Sequence, residues 1–307
     1  MVIHDRSYSR WKGDRTAPVK GAAVVFEGGV KRGTAIVFRR KIPAIGLILA
    51  AFGPFVFFLG LIYFSAYAMA HADQFPRGVV ESLKDSELLQ VITPSPGWAY
   101  TYMFLSQWVF VMVACVLIGS GLIAEDRRAN ALEMYLSRPI TVRQYLLGKL
   151  GTIAFFVALV TVIPTAVMIL AQLSVSWSVE GETLRLAGLL GRTLVAGAVW
   201  VAMPALTILT ASSLADRARN AAILWIGVIV MLEFVVSNIL REVFNVDAFW
   251  LLQIGFNIRQ VMNLVLGNDV DLVTTVPVWQ SGLVLALWVF VCLRVLRARV
   301  KPVEVVA

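Results

Sequence analysis

Charge is scarce in this sequence. Asp, Glu, Lys and Arg make up 15% of the 307 residues, whereas a soluble globular domain carries about 25%. Hydrophobic residues reach 59% and the mean hydropathy is +0.80. That apolar excess is too large for one soluble core and must be solvated by lipid. Cysteine is nearly absent: Cys115 and Cys292 both sit in apolar runs, which excludes a disulfide framework. The two histidines, His4 and His71, are far apart, and no cluster of Asp, Glu and His has metal-ligand spacing. The nucleotide-cradling pattern G-x-x-x-x-G-K-[ST] is missing, as are H-E-x-x-H and G-x-S-x-G. This chain is therefore not expected to be an enzyme, to hold a metal or to bind ATP through a P-loop.

What is there is a set of long apolar runs. The first begins only near Ile42, too late for the short apolar core of a cleavable leader, so it is expected to stay as an anchor. Six stretches come near the roughly 20 residues needed to cross a bilayer: about 42–70, 103–124, 145–173, 186–214, 221–239 and 276–293. Pro54, Pro164 and Pro204 fall inside them, where kinks are tolerated in membrane helices. Gly188, Gly191, Ala196 and Gly197 supply small faces for close helix packing. The expected fold is an all-α polytopic membrane protein. It divides into a tail and interfacial helix (1–41), a six-span domain (42–297) with a connecting loop at 125–140, and a tail (298–307).

Basic residues set the expected orientation. Of the 27 Lys and Arg, 21 lie in the N-terminal segment, the loops after spans two and four, and the C-terminal tail. All of these share one side if the spans alternate, which puts both termini in the cytoplasm and the protein in the plasma (inner) membrane. The formal charge of +8 is then a topology signal and not a nucleic-acid footprint. Residues Val19–Lys41 mix apolar and basic side chains without spanning length, as a helix lying on the membrane surface would. Gly28, Gly29 and Gly33 count against that helix, and a partly ordered basic arm is the alternative.

Two substantial segments fall on the other side. The first, 71–102, holds an amphipathic stretch at Val79–Ile92 and a turn at Pro94–Gly97. Trp98, Tyr100 and Tyr102 then mark the membrane interface. The second, 240–275, is too apolar for a solvated loop and too interrupted for another span, so one or two short helices dipping into the outer leaflet are expected.

The break between spans two and three carries the most pattern. Glu125, Asp126, Arg127 and Arg128 stand where span two should leave the membrane. Leu132, Tyr135 and Leu136 share one face of a short helix at i, i+3, i+4. Pro139 stops that helix and biases Arg138 towards an extended conformation. Thr141 and Gln144 form a capping-box pattern, flanked by Ile140 and Tyr145 at staple positions, so span three should start near Thr141. From the pattern alone, the loop is either a plain connector resting on headgroups or a docking element.

The run from Gly121 resembles the membrane subunit of ABC-2 type ABC transporters. Glu125, Leu132-Glu133, Leu136, Ser137-Arg138-Pro139-Ile140 and Gly148-Lys149 carry that resemblance, and the six-span plan extends it over most of the chain. The resemblance implies a permease coupled to a separate cytoplasmic ABC ATPase that binds ATP and Mg, with a second permease as homodimer partner or related chain. It also implies that Glu125, Arg127, Arg128, Leu132, Glu133, Tyr135, Leu136 and Arg138 form an ATPase-coupling helix, its apolar face in a groove of the ATPase. Asn130 departs from the family, in which a small residue or glycine is common, and is expected to alter the bend without changing the role.

One ionisable residue lies inside an apolar run. Glu233 in span five should face protein or a watery cavity. It is either a transport-path or proton site, or a protonated or hydrogen-bonded packing residue with Asn238 as its candidate partner. A proton-coupled secondary transporter built on Glu233 is the alternative to the ATP-driven exporter.

Overall fold

The computed structural model describes residues 21–39, 41–70, 74, 98–131, 140–176, 181–268 and 276–300. All regular structure among them is helical. Helix α1 (Gly21–Val37) precedes α2 (Lys41–Ala70). Helix α3 comprises segments Trp98–Ser106 and Trp108–Ala114, a π turn at Cys115–Gly119, and Gly121–Arg128. Helix α4 comprises Val142–Val160 and Val162–Ser176, and α5 is Glu182–Leu214. Helix α6 joins Ala218–Val230, a π turn at Met231–Val236 and Ser237–Phe244. After a 3₁₀ turn at Asp247–Leu252 come α7 (Ile254–Leu266) and α8 (Val278–Arg299). Helices α3, α4, α5, α6 and α8 are long and apolar enough to cross a membrane, and α2, at 30 residues, has the length of a sixth span.

The helices outrun the apolar runs that suggested them. Helix α3 continues through Arg128 and α8 through Arg299, so Glu125–Arg128 belongs to a helix and not to the loop expected at 125–140. In α3 the last turn persists because Glu125, Asp126 and Arg127 find partners on neighbouring helices. Between α6 and α7, Asn245 at φ 50° reverses the chain, and α7 turns back to pack on α3, α5 and α8. The short helical structure expected after span five, one or two helices, is thus present as the 3₁₀ turn and α7. The amphipathic stretch at Val79–Ile92 and the Pro94–Gly97 turn lie outside the described residues.

Helix α5 is the hub, with 61% of its apolar window buried against 17% for α6. The core has two tiers. One gathers Ile123, Tyr145, Ile153, Leu209 and Trp225 near the α1 end. The other gathers Phe104, Met168, Trp200, Ile258 and Met262 at the far end. Trp108 packs on both tiers, its ring 5.5 Å from that of Trp200. Outward-facing side chains such as Leu49, Ile223 and Phe234 are exposed and apolar, as lipid-facing surfaces are. Helix α4 breaks at Thr161, because Pro164 has no N–H to offer the Val160 carbonyl. Thr161 and Thr165 hydroxyls donate to the Val157 and Thr161 carbonyls at 2.8 and 2.7 Å.

Helix α1 forms despite its glycines because they make its packing face. Gly21, Val25, Gly29 and Gly33 recur every four residues and are buried. A Cβ at Gly33 would come 2.5 Å from the Phe156 ring and 3.2 Å from Ile118. Across the seam, a Cβ at Gly148 would come 2.6 Å from Val25 Cβ and 2.8 Å from the Ala22 carbonyl oxygen. Gly28, by contrast, faces open space. Gly148→Val is therefore expected to destabilise by about 1–3 kcal/mol, and Gly28→Ala to stabilise by up to about 1 kcal/mol. Thermal unfolding in detergent, with hydrogen exchange over 21–37, checks both; equal effects of the two changes would contradict a close-packed α1–α4 seam.

Candidate functional site

The loop between α3 and α4 is held at both ends by one polar knot. At its centre is Asp126, buried in the last turn of α3. A carboxylate there faces the negative end of its own helix dipole and has lost its water, so it needs cationic partners. The Lys149 ammonium lies 2.6 Å from Asp126 Oδ2, with both side chains buried. The Tyr145 hydroxyl donates to the same oxygen at 2.9 Å. Tyr145 and Lys149 are one turn apart on α4, which aims both at one point. Arg32 of α1 reaches Asp126 Oδ1 at 3.6 Å and also pairs with Glu125. Three helices thus converge on one carboxylate.

A fourth helix is stitched on by backbone chemistry. Next to the π turn of α3, the Ile123 and Ala124 N–H groups both donate to Ser212 Oγ at 3.0 Å. The Ser212 hydroxyl in turn donates to the Ser120 carbonyl at 2.7 Å. Gly119 lets the helices meet, since a Cβ there would stand 2.8 Å from Ile208. Arg127 donates to the Ser213 carbonyl and lies 3.6 Å from Asp216. Its guanidinium satisfies a carbonyl that the end of α5 leaves without a helical partner.

The loop's exits are equally defined. Helix α3 ends with Asn130 in the left-handed region at φ 51°, the position where glycine, or next best asparagine, closes a helix. Asn130, expected to alter the bend, supplies the positive φ that ends the helix here. At the other exit the capping box expected from sequence is complete. The Thr141 N–H donates to Gln144 Oε1 at 3.0 Å, and the Gln144 N–H donates to Thr141 Oγ1 at 3.3 Å.

Of the expected coupling residues, Glu125 and Arg127 are engaged within the chain, while Arg128 is exposed. Leu132, Glu133, Tyr135, Leu136 and Arg138 lie outside the described residues. Sequence reasoning missed Arg32, Asp126, Tyr145 and Ser212 as a set, and gave Lys149 only as half of a Gly-Lys motif. The available signal was a Tyr and a Lys four residues apart facing a lone acidic pair.

At the far end, Glu233 lies in the π turn of α6. Its Oε1 accepts the Gly255 N–H at 2.6 Å, which places a carboxylate on the first turn of α7, where free N–H groups and the dipole favour it. Asn238 does not touch that carboxylate. Its amide donates to the Phe234 and Glu233 carbonyls at 2.9 and 3.4 Å. The other end of α7 is tied to α3, where the Thr101 hydroxyl donates to Asn263 Oδ1 at 3.0 Å and Asn268 donates to Thr101 Oγ1 at 3.1 Å.

Comparison with known proteins gives one family. Residues 39–294 match the family described as ABC-2 family transporter protein. No curated protein matches the chain at a significant level.

Removing one partner of the buried pair, by Lys149→Met or Asp126→Leu, should cost about 3–5 kcal/mol, whereas the double change should cost far less than the sum. A double-mutant cycle by thermal unfolding reads this, and additive losses would contradict the pairing. Asn130→Gly should be close to neutral, while Asn130→Val should cost about 1–2 kcal/mol; equal stability of the two would contradict the left-handed cap.

Proposed function

The chain belongs to the ABC-2 family of transporter proteins, and from that premise we propose that it carries force from a separate cytoplasmic ATPase to the membrane helices of an exporter. It is the permease part of an ABC transporter and a multi-pass membrane protein. The ATPase would bind ATP and Mg, because this chain carries no P-loop pattern. The 132–139 segment would dock in a groove of that ATPase, with Leu132, Tyr135 and Leu136 as anchors and Glu133 and Arg138 fixing register.

The knot at Asp126 is the observation that carries this proposal. A segment hinged loosely at its ends would absorb a push. Here one end is a capped helix held by Asp126, Arg127 and Ser212, and the other begins at the Thr141 box. A push on the segment would therefore move α1, α3, α4 and the tied end of α5 as a body. The skew of basic residues supports placing this end, and both termini, in the cytoplasm. A second permease, identical or related, would complete the path, and the exposed apolar faces of α6 and α8 offer surface for it. The direction is proposed as export by family resemblance. Glu233 already has a helix terminus to satisfy, so the reading assigns it no proton-carrying role.

Co-purification tests the proposal directly. Leu132→Asp with Tyr135→Asp should release the ATPase, at roughly 2 kcal/mol or more for each anchor, while the permease extracts and melts as the wild type does. An ATPase that stays bound, with transport intact, would sink the coupling claim.

A further inference from the structure

A cavity of about 370 Å³ opens between α4, α5 and α8, at the end of the molecule where α4 starts and α8 finishes. Its walls are leucines, among them Leu146 and Leu150 of α4, Leu209 of α5 and Leu296 of α8, and the remaining lining residues are Arg143 and Arg297. That volume is in the range of a small-molecule site, about 300–1,000 Å³. Both arginines are exposed, and among the described residues neither makes an ion pair. The site is therefore an aliphatic slot with two exposed guanidiniums at its edge that have no ion-pair partner among the described residues. An occupant needs an apolar chain for the leucines and an anionic head for the arginines. Guanidinium matches phosphate in geometry as well as charge, and basic pockets between spans are a recognised way of holding anionic lipid headgroups.

We propose that this slot is a binding site for an anionic phospholipid, one acyl chain lying between α4, α5 and α8 and the phosphate held by Arg143 and Arg297. The bound lipid would be a wedge beside the first turns of α4, the helix that begins at the Thr141 box. That places lipid charge next to the element expected to move, so lipid composition would tune the permease. The leaflet assignment rests on the orientation proposed above; the binding itself does not, and its test involves no ATPase.

Native mass spectrometry of the full-length protein in detergent reads the lipid directly. The protein is titrated with cardiolipin or phosphatidylglycerol, with phosphatidylcholine as the neutral reference and inorganic phosphate as competitor. Anionic lipid is expected to be retained in preference to neutral lipid, and phosphate is expected not to displace it. Arg143→Gln and Arg297→Gln should each weaken that preference roughly fivefold, and Leu147→Trp, at the exposed edge of the slot, should weaken it too. Arg219→Gln, an exposed arginine away from the slot, should leave it unchanged. Equal retention of neutral and anionic lipid would overturn the proposal, as would undiminished preference in the Arg143/Arg297 double variant or an equal loss in Arg219→Gln. Displacement by phosphate would reassign the arginines to a free anion. A dimer split by Leu147→Trp, with lipid binding unchanged, would make the slot a contact between copies.

Discussion

The structure depends on one buried carboxylate. Asp126 sits at the negative end of a helix dipole, out of reach of solvent, in a position that would be costly for an unaccompanied acid. Its stability there requires Lys149 and Tyr145 from α4 and Arg32 from α1 to arrive together. Because the partners come from different helices, satisfying the charge also fixes where those helices cross. The glycine face of α1 follows from the same demand. Arg32 can reach α3 only if α1 lies close on α4, and that closeness leaves no room for side chains at Gly33 and Gly148.

The same device recurs at the opposite end in milder form. There the Glu233 carboxylate of α6 serves the unpaired N–H of Gly255 in α7. Both acids lie on helices that depart from regular α geometry. Glu233 lies inside the π turn of α6, and Asp126 follows the π turn of α3 by about two helical turns. A π turn widens the helix and frees carbonyls; Asn238 donates to the Phe234 carbonyl at one end of the molecule, and Ser212 donates to the Ser120 carbonyl just after the π turn at the other. Between the two ends, the tryptophan contact of Trp108 and Trp200 joins the core tiers across α3 and α5. Polar pairing thus defines the ends, and apolar packing fills the middle.

What was legible in the sequence was local or compositional. The spans follow from apolar run length, and the Thr141 box from two residues three apart. The short helices after Phe244 follow from a segment too apolar for a loop. Long-range pairing was not legible. Asp126 looked like one of four charges at a loop entrance, because nothing local marks it as the one that turns inward. Gly29 and Gly33 counted against α1, since propensity cannot register that their missing side chains create the seam. The helix ends at Arg128 and Arg299 were set short, because hydropathy stops where the lipid stops, whereas a helix stops where its last groups lose partners. Asn130 looked like a departure from a family pattern, and no local pattern marks it as the left-handed residue that closes α3.

The central claim is that α1 and the end of α3 move as one body when the loop is pushed. Spin labels at the exposed residues Ala35 of α1 and Ala129 at the end of α3 report this by pulsed electron spin resonance on the permease assembled with its ATPase. The account predicts the same distance distribution without nucleotide and with ATP bound, while the distance between Ala129 labels on the two permeases changes. A shift in the Ala35–Ala129 distance on ATP binding would show that the Asp126 knot opens, and would contradict the account.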